Sequence, residues 1–399
     1  MHRLRRGQAK VTIINRTNYF LFTPLLHEVA TGALAHHNVV ESLRSIMRPF
    51  DADLMVGEIK NIDTARKIVA TDMGEVPYDI LVIATGSKTN FYGTPGAEEH
   101  TLVLKNLYDA IKLRNTIINS IEKSTITSDL VERKRLLNFV IIGAGATGVE
   151  LAAEMADWFF DTFKKFYKDK VDCRDISVHL STDGLNVLPQ FHPSLRARAA
   201  LILAEKGIHL HFQSKAVRIE EKKVIFADDS EIETDTIIWA AGVTPENLVT
   251  DVELKRDARN RIIVDGHMRV MDHQNIFALG DIASYTPSQS NQPAETAAQP
   301  LPMLAQVAVS EAKVVAENIW RTIKNRPLVT LKYRSRGDLV SLGTWQAVAD
   351  IFGTRWSGPL AWFIWRTVYL MKFSSWSKRI RIAVDWTIDI FYPRDITKA

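Results

Sequence analysis

Three glycines lie between a short apolar run and a helical pattern in residues 139–154, FVIIGAGATGVELAAE. The run at 139–142 has the composition of a buried parallel strand. Gly143 permits the tight turn, Gly145 lets the backbone approach a pyrophosphate, and Gly148 lets the helix pack on the strand, with the helix N-terminus directed at anionic oxygens. Strand, loop and helix in this order favour a dinucleotide-binding site over a chance glycine turn.

The usual partner of such a loop is an acidic residue at the end of the next strand, which receives the ribose 2′-hydroxyl of NAD. Here the next predicted strand, ISVHLS, ends at Ser181 and Thr182. The hydroxyl of Thr182 can bind a ribose, but it cannot repel a 2′-phosphate as a carboxylate does. The orientation of Asp183 stays open. These residues favour NADH and leave NADPH possible.

The chain also contains an internal repeat with a constant offset of 156 positions. Residues 67–86, KIVATDMGEVPYDILVIATG, match residues 223–242, KVIFADDSEIETDTIIWAAG. The matched pairs are Lys67/Lys223, Asp72/Asp228, Asp79/Asp235, Ala84/Ala240 and Gly86/Gly242. A fixed register indicates a duplicated unit, in which a hairpin leads into a buried strand that ends beside a ligand. Accidental likeness of two apolar strands is the alternative.

The same offset places the first copy's glycine loop before the first residue, because the number of Gly143 is smaller than the offset. VTIIN at 11–15 has the composition of the strand that follows such a loop. Asn15 then stands where an acid usually holds the first ribose. We therefore expect an α/β protein with two nested Rossmann-like dinucleotide-binding domains, of which the discontinuous first domain lacks its loop.

The composition excludes several classes of protein. The 399 residues are 46% apolar, have a net charge of +4 and include one cysteine, Cys173. A single cysteine excludes an internal disulfide and a CxxC redox pair, so redox chemistry requires another agent. No apolar run reaches the about 18 residues of a membrane span. We expect neither a metal site nor nucleic acid as a partner.

Two basic and aromatic helical patterns occupy the C-terminal region, at 359–373 and 378–392. Residues 356–399 contain seven Lys and Arg against three acids, and six of the nine tryptophans lie in the last 55 residues. Such helices are too short and too charged to span a bilayer, but they suit its interface, with aromatics at the headgroups and basic groups on anionic lipid. A homodimer interface is the alternative, and both can coexist.

Several motifs together resemble one family: TNYFLFTPLLHEVATG, VIATGSKTNFYGTPGAEEH, IIGAGATGVELAAE, WAAGV, IFALGDIA, AQVAV and LVSLG. From about residue 11 to the C-terminus the chain resembles the single-subunit type II NADH:quinone dehydrogenases. The resemblance implies FAD as cofactor, NADH as electron donor and a quinone as acceptor. We expect an NAD(P)H:quinone oxidoreductase that does not pump protons, peripheral to the cytoplasmic face of the inner membrane.

The resemblance also implies roles for individual residues. Asp281, beside Gly280 in IFALGDIA, accepts a ribityl hydroxyl of FAD, although it can also cap a short helix. Glu150 lies near the nicotinamide and flavin rings, although a carboxylate in a first helical turn can simply favour the helix dipole. Gln306 matches the first glutamine of the family's AQxxxQ quinone motif. The second position is Ser310, which is shorter and offers no amide.

Other candidate residues have two readings. Gly86 and Gly242 end the repeated strands, where an absent side chain lets a ligand lie against the backbone or merely permits a turn. His27 and Glu28 form a titratable pair, but adjacent helical residues diverge, so a joint acid and base role does not follow. Gln306 is a polar group at the head of a helical face of small apolar residues, although an ordinary helix surface also explains Gln306: the face consists of Ala305, Val309, Ala312 and Ala316.

We predict an FAD-binding domain in two parts, 1–108 and 244–330, a nucleotide-binding domain at 109–243, and a membrane-associating region at 331–399. Two other functions stay open. One is a soluble flavoprotein reductase with another acceptor, although one cysteine excludes an internal dithiol. The other is a flavin-free chain that binds a nucleotide without turning it over, because loss of the first loop removes N–H bonds to the FAD pyrophosphate.

Overall fold

The structure, a computed structural model, describes residues 9–50, 52–287 and 299–398. The chain divides into two compact units. Unit 1 consists of Met1–Phe20, Ser42–Lys88 and Val243–Ser335, and unit 2 of Leu21–Glu41, Thr89–Gly242 and Arg336–Ala399, each as far as it is described. Unit 1 is therefore discontinuous in sequence. The predicted domain boundaries at 108, 243 and 330 stay predictions.

The strands are short, and most of them belong to sheets of two or three strands. They are β1 Val11–Asn15, β2 Tyr19–Leu21, β3 Val40–Ser42, β4 Ala52–Val56, β5 Ile59–Asp63, β6 Ile68–Thr71, β7 Gly74–Pro77, β8 Leu81–Ile83, β9 Ser87–Thr89, β10 Leu102–Val103, β11 Asn138–Ile142, β12 Ser177–Ser181, β13 Ile208–His211, β14 Ala216–Glu220, β15 Lys223–Phe226, β16 Glu231–Glu233, β17 Thr236–Trp239, β18 Val243–Pro245, β19 Ile262–Ile263, β20 Ile276–Ala278, β21 Ala283–Ser284, β22 Asp338–Ser341, β23 Ala347–Ile351 and β24 Thr354–Ser357.

The α-helices vary from single turns to helices of five turns. They are α1 Leu26–Ala30, α2 Leu43–Met47, α3 Ala97–His100, α4 Leu107–Ser124, α5 Leu130–Leu136, α6 Ala146–Asp157, α7 Lys164–Tyr167, α8 Pro193–Glu205, α9 Ala305–Ile323, α10 Pro359–Leu370 and α11 Trp376–Phe391. A π-helical turn, Trp158–Phe163, continues α6 into α7. Within the described ranges, no helix is long and apolar enough to cross a membrane.

Unit 2 is built on a parallel sheet of five strands in the order β10, β17, β11, β12, β13. The central strand β11 is buried along its whole length. Phe139 and Ile141 enter one hydrophobic core, and Val140 and Ile142 enter another on the opposite face. A strand covered on both faces reads as a continuous apolar run, which explains the sequence of this segment. The antiparallel sheets β14–β15–β16 and β22–β23–β24 complete the strands of this unit.

Among its described residues, unit 1 contains the parallel strand pairs β1 with β4, β8 with β20 and β19 with β21. The antiparallel sheet β5–β6–β7 follows the first pair in sequence. The hydrophobic core of unit 1 includes Ile62, Val69, Ile83 and Phe277 together with Val315 of α9. Helix α9 therefore packs on the strands that carry the predicted flavin residues.

The internal repeat is visible in the backbone of the two units. Strands β5–β6–β7 and β14–β15–β16 are antiparallel sheets of the same order, and each has a register shift at its start, between Ile59 and Asn61 and between Ala216 and Arg218. Each sheet leads into a parallel strand, β8 or β17. Strand β17 is buried along its whole length, whereas Val82 of β8 is exposed, so the first copy's strand is not buried as predicted. Both copies therefore have a β-bulge in their first strand, and chance likeness of apolar strands does not explain this shared irregularity.

The two copies differ in how their parallel strands are joined. Strand β1 pairs with β4 in the same way that β12 pairs with β13. In unit 2, β11 lies between β12 and β17 and joins them. Among the described residues of unit 1, no strand joins β1 to β8. The predicted α/β fold class is confirmed.

Candidate functional site

The glycine loop after β11 has the geometry that a dinucleotide requires. Gly143 has a φ of +109°, and a Cβ there would lie 2.5 Å from the Cα of Ala241. A Cβ on Gly148 would lie 1.9 Å from the carbonyl oxygen of Gly143. A Cβ on Gly145, the N-cap of α6, would meet nothing within 4 Å. Two glycines therefore allow close backbone packing, and the third leaves open space before the helix N-terminus.

Thr182 lies one residue beyond the end of β12, where the predicted ribose contact belongs. Its backbone N–H donates to the carbonyl oxygen of His211 (2.9 Å), and its hydroxyl accepts from the N–H of Gly184 (3.2 Å). The hydroxyl hydrogen stays available to a ligand, because that bond uses only an acceptor site. Asp183 is exposed. The role of Thr182 toward ribose stays a prediction.

Unit 1 brings three predicted cofactor residues to the carboxyl ends of β8 and β20. These strands pair in parallel, with Ile83 opposite Ala278. Gly86 has a φ of +74°, and a Cβ added there would meet nothing within 4 Å. Gly280 donates its N–H to a carboxylate oxygen of Glu311 (2.7 Å). The ends of neighbouring parallel strands are the usual place for ligands in α/β sheets.

Asp281 lies in the 3₁₀ turn Gly280–Ile282, and its carboxylate accepts a hydrogen bond from the hydroxyl of Ser87 (2.5 Å). The N-cap of that turn is Leu279, and no side chain caps it, so the helix-cap reading of Asp281 is wrong. The carboxylate keeps a second oxygen as an acceptor. With the open backbone at Gly86, these residues fit a flavin whose ribityl hydroxyls donate to Asp281.

Two other predicted cofactor residues have protein partners. The side-chain amide of Asn15 donates to the carbonyl oxygen (2.8 Å) and hydroxyl (3.1 Å) of Thr17. A Cβ on Gly242 would lie 2.3 Å from the hydroxyl oxygen of Tyr92. The space that the sequence assigns to a ligand at Gly242 is therefore occupied by Tyr92. Ribose binding by Asn15, through its carbonyl oxygen, stays a prediction.

Glu150 is buried on α6, one turn beyond the glycine loop. One carboxylate oxygen accepts from the N–H of Ser341 in β22 (3.1 Å), and the other lies 3.6 Å from Nδ1 of His27. Burial raises the pKa of Glu150 well above its usual range, against the lowering effect of the Ser341 hydrogen bond. Burial therefore favours the uncharged form of the Glu150 carboxyl.

His27 and Glu28 do not diverge as expected of neighbours on a helix, because a ring nitrogen of His27 and carboxylate oxygens of Glu28 and Glu154 lie within 4.8 Å of one another. Nε2 of His27 has no hydrogen-bond partner, and burial lowers the pKa of this imidazole to about 3, so it is neutral. Glu28 accepts from the indole N–H of Trp386 (2.7 Å). Burial, and after it the charge of Glu154, raise the pKa of Glu28 to about 8.

Arg394 holds the remaining carboxylates of this buried cluster. Its guanidinium lies 2.7 Å from a carboxylate oxygen of Glu154 and 2.7 Å from one of Asp389. The cluster comprises five carboxylates and three cations, an excess of two negative charges if all were ionised: Glu28, Glu150, Glu154, Asp157 and Asp389 with Lys206, Arg366 and Arg394. Burial raises the pKa of both Glu28 and Glu150. It therefore favours protonation of these two groups, which reduces the excess, because uncompensated buried charge is costly.

Replacement of Glu28 by Gln tests this protonation through the pH dependence of stability. The native state keeps the Glu28 proton up to about pH 8, whereas the unfolded chain releases it near pH 4.3. The contribution of Glu28 to the free energy of unfolding is largest below the pKa that this group has in the unfolded chain. It falls as the pH rises from there to 8. From pH 6 to pH 8 we expect the wild type to lose roughly 2 kcal/mol more of its free energy of unfolding than the variant.

Urea denaturation at the two pH values measures this difference. Glu253→Gln, an exposed matched change, should follow the wild type at both values. Parallel loss of stability in the wild type and Glu28→Gln would show that Glu28 is ionised in the native protein.

Helix α9 positions the predicted quinone residues. The small face predicted for it is exposed in all four members: Ala305, Val309, Ala312 and Ala316. The buried face carries Val307, Glu311 and Val315 instead. The hydroxyl of Ser310 donates to the carbonyl oxygen of Gln306 (2.9 Å). Ser310 therefore replaces the second glutamine with a hydroxyl whose hydrogen is committed to its own helix.

The C-terminal segments form helices α10 and α11 as predicted, but their aromatic residues are placed differently from the expectation. Trp362, Trp365 and Trp386 are 1%, 1% and 4% exposed and belong to the main core of unit 2. Arg366 lies over two of these rings, 3.7 Å from the centroid of Trp362 and 4.9 Å from that of Trp386. The expectation that these residues face lipid is therefore wrong, because an amphipathic pattern does not distinguish a buried aromatic face from an interfacial one.

Several residues of the site were not found by sequence reasoning. The sequence could have indicated Glu154, since it lies four positions after Glu150 and so on the same helix face. It could also have indicated Glu311, which is an acid on the buried face of α9. No sequence pattern indicates Arg394 or Ser341, because their partners lie 240 and 191 positions away in sequence.

Fold and site together define a dinucleotide-binding α/β protein with a second, duplicated strand framework suited to a flavin nucleotide. Residues 1–312 match the family model described as pyridine nucleotide-disulphide oxidoreductase, and residues 333–395 match the NDH2 C-terminal domain. The chain belongs to the pyridine nucleotide-disulphide oxidoreductases and, among them, to the type II NADH:quinone oxidoreductases.

Individual relatives agree with this assignment. A type II NADH:quinone oxidoreductase of Haemophilus influenzae is 30% identical over 381 residues, covering 89% of this chain and 84% of that protein. The type II NADH:quinone oxidoreductase Ndh of Mycobacterium tuberculosis is 27% identical over 410 residues, covering 98% and 85%. The structure of NDH2 from Plasmodium falciparum in complex with NADH has the same fold, with a TM-score of 0.87 at 23% identity and coverage of 98% and 95%.

Proposed function

We propose that this protein is a non-proton-pumping NADH:quinone oxidoreductase that passes hydride from NADH to FAD and two electrons onward to a membrane quinone. The observation that carries the proposal is the open space at Gly145 before the N-terminus of α6. Membership of the type II family supports the flavin and the acceptor. The relatives from Haemophilus influenzae and Mycobacterium tuberculosis have this activity in their names.

The nucleotide-binding part of the mechanism belongs to unit 2. Backbone N–H groups at the N-terminus of α6 hold the pyrophosphate, because the first turn of a helix has unpaired donors and a partial positive charge. Thr182 donates its hydroxyl hydrogen to the adenosine ribose. No carboxylate of the strand end repels a 2′-phosphate in this arrangement, so we propose NADH as the main donor and NADPH as a weaker one.

The flavin-binding part of the mechanism belongs to unit 1. Asp281 accepts a hydrogen bond from a ribityl hydroxyl, and Gly86 leaves backbone accessible beyond the end of β8, whereas the N–H of Gly280 is donated to Glu311. Asn15 offers a carbonyl oxygen to the adenosine ribose. FAD, when bound, supplies the two-electron chemistry, since it accepts hydride and releases electrons to a second substrate.

The raised pKa of Glu150 suits a role in proton transfer. Reduction of a quinone to a quinol consumes two protons, and a carboxyl group can relay a proton. Nδ1 of neutral His27 lies 3.6 Å from a carboxylate oxygen of Glu150. For the quinone, we propose contact with the amide of Gln306 and with the exposed small residues of α9 that follow it.

A surface of α10 and α11 supports docking to an anionic membrane. Its exposed apolar residues, here called the docking face, are Leu360, Phe363, Met371, Trp376, Ile380, Val384, Ile388 and Phe391. Those of α11 follow each other at intervals of three or four positions, which is one face of a helix. Exposed Lys372 and Arg381 add positive charge. We propose peripheral attachment to the cytoplasmic face of the inner membrane, with a homodimer as a further possibility of the same surface.

Turnover with two acceptors tests the proposal. We expect purified protein to contain FAD and to oxidise NADH with a short-chain quinone in solution and with a long-chain quinone in anionic vesicles. Ile380→Glu with Ile388→Glu should retain the first activity and lose the second, since roughly 2 kcal/mol of apolar burial, about 30-fold in partition, is removed.

Leu130→Glu with Val131→Glu is the matched control, because these two residues are also exposed apolar side chains of unit 2. It should retain both activities. Protein that binds NADH but contains no flavin would instead support the flavin-free alternative. Flavin reduction without turnover of either quinone would support a reductase with another acceptor.

A further inference from the structure

Three histidines share one face of the parallel sheet in unit 2. His179 lies on β12, and His209 and His211 lie on the edge strand β13. His179 pairs directly with His209, and His211 pairs with Ser181. The residues between them, Val178, Ile208 and Leu210, face the opposite side, toward the main core. Alternation along both strands therefore places the three imidazoles together.

The imidazole of His179 contacts those of both other histidines. Nδ1 of His179 lies 3.0 Å from Nε2 of His211. The ring of His179 stacks on that of His209 with 4.9 Å between centroids, and its centroid is 5.3 Å from that of His211. His209 is exposed, while His179 and His211 are half-buried. The cluster is thus accessible from solvent along the open edge of the sheet.

Imidazole binds metal in its neutral form. Asp228 interacts electrostatically with His211 from the loop after β15. A carboxylate beside a histidine raises its strength as a ligand.

The spacing of these residues matches what a small cation requires. Positions two apart on a strand lie about 6.6 Å apart, and neighbouring strands about 4.8 Å apart. Two nitrogens bound to one tetrahedral Zn²⁺ at about 2.0 Å lie about 3.3 Å from each other, close to the separation of His179 and His211. Exposed His209 stacks on His179, and its side chain has to rotate to place a third nitrogen on the same ion.

We propose that His179, His209 and His211 form a binding site for a divalent transition-metal ion that prefers imidazole ligands, of the zinc, nickel or copper type. Three histidines leave a tetrahedral ion one open position for water or a further ligand. Imidazole ligands select these ions over Mg²⁺ and Ca²⁺, which prefer oxygen. The site does not depend on the proposed redox activity.

Zn²⁺ titration of the full-length protein tests this site. The protein must be free of any polyhistidine tag, and isothermal titration calorimetry gives stoichiometry and affinity. We expect one ion per chain, with affinity reduced at least about 10-fold in His209→Ala and in His211→Ala, as expected for a lost metal contact. Co²⁺ should give the visible absorption of a nitrogen-bound ion in the wild type only.

His273→Ala, a change of a histidine in unit 1, is the matched control and should bind Zn²⁺ as the wild type does. Exposed His209 can be replaced without opening a cavity, and an unchanged melting temperature in His209→Ala verifies its fold. Unchanged Zn²⁺ affinity in His209→Ala and His211→Ala, or equal loss in His273→Ala, would overturn the proposal and leave a hydrogen-bonded stack of imidazoles only.

Discussion

Replacement of Gly145 by alanine is expected to weaken NADH binding by about 10- to 100-fold while leaving the melting temperature unchanged. The added Cβ meets nothing within 4 Å in the protein itself. It enters the space through which a pyrophosphate reaches the backbone N–H groups of α6. Loss of one or more hydrogen bonds to a charged group costs about 1.5–3 kcal/mol, which corresponds to that change in the dissociation constant.

Gly148→Ala gives the contrasting result in the same loop. Its Cβ would lie 1.9 Å from the carbonyl oxygen of Gly143, so α6 has to move away from β11. We expect loss of both melting temperature and NADH affinity. Fluorescence titration with NADH and thermal denaturation of both variants measure the pair. Wild-type affinity in Gly145→Ala would mean that the nucleotide lies elsewhere.

Replacement of Arg394 by methionine is expected to destabilise the protein by about 3–5 kcal/mol. The substitution preserves much of the volume but leaves Glu154 and Asp389 without the cation that each contacts at 2.7 Å. Lysine should not restore stability, because the planar fork of arginine contacts both carboxylates at once and a single ammonium group cannot. Differential scanning calorimetry and urea denaturation report the loss.

Two further variants separate charge from packing. Arg174→Met removes an arginine whose pair with Asp172 is exposed, and its melting temperature should equal that of the wild type. In the Arg394→Met background, the double change Glu154→Gln and Asp389→Asn removes the two unpaired carboxylate charges and should recover most of the lost stability. An unchanged melting temperature in Arg394→Met would mean that protonation of the carboxylates offsets the negative charge of the cluster without Arg394.

Local patterns were sufficient to predict the elements that bind the nucleotide. The apolar run before Gly143 is β11, VTIIN is β1, and the repeat offset relates two antiparallel sheets that share a bulge. These features are determined by residues close together in sequence, through hydrophobic period, turn chemistry and composition. They also carried the family resemblance.

The surroundings of Glu150 could not be predicted in the same way. Its hydrogen-bond donor Ser341 belongs to a strand 191 positions later, and Arg394 reaches Glu154 from the end of the chain. Contacts between distant segments leave no periodic trace in one sequence. The assignment of the tryptophans failed for a related reason, since helical period identifies an apolar face but not whether protein or lipid covers it.

The cation–π contacts of Arg366 have a consequence for the removal of the C-terminal helices. The rings of Trp362 and Trp386 that flank it belong to the same core as β11 and α6. Proteolytic removal of α10 and α11 would therefore expose the interior of unit 2 and would not release an active fragment.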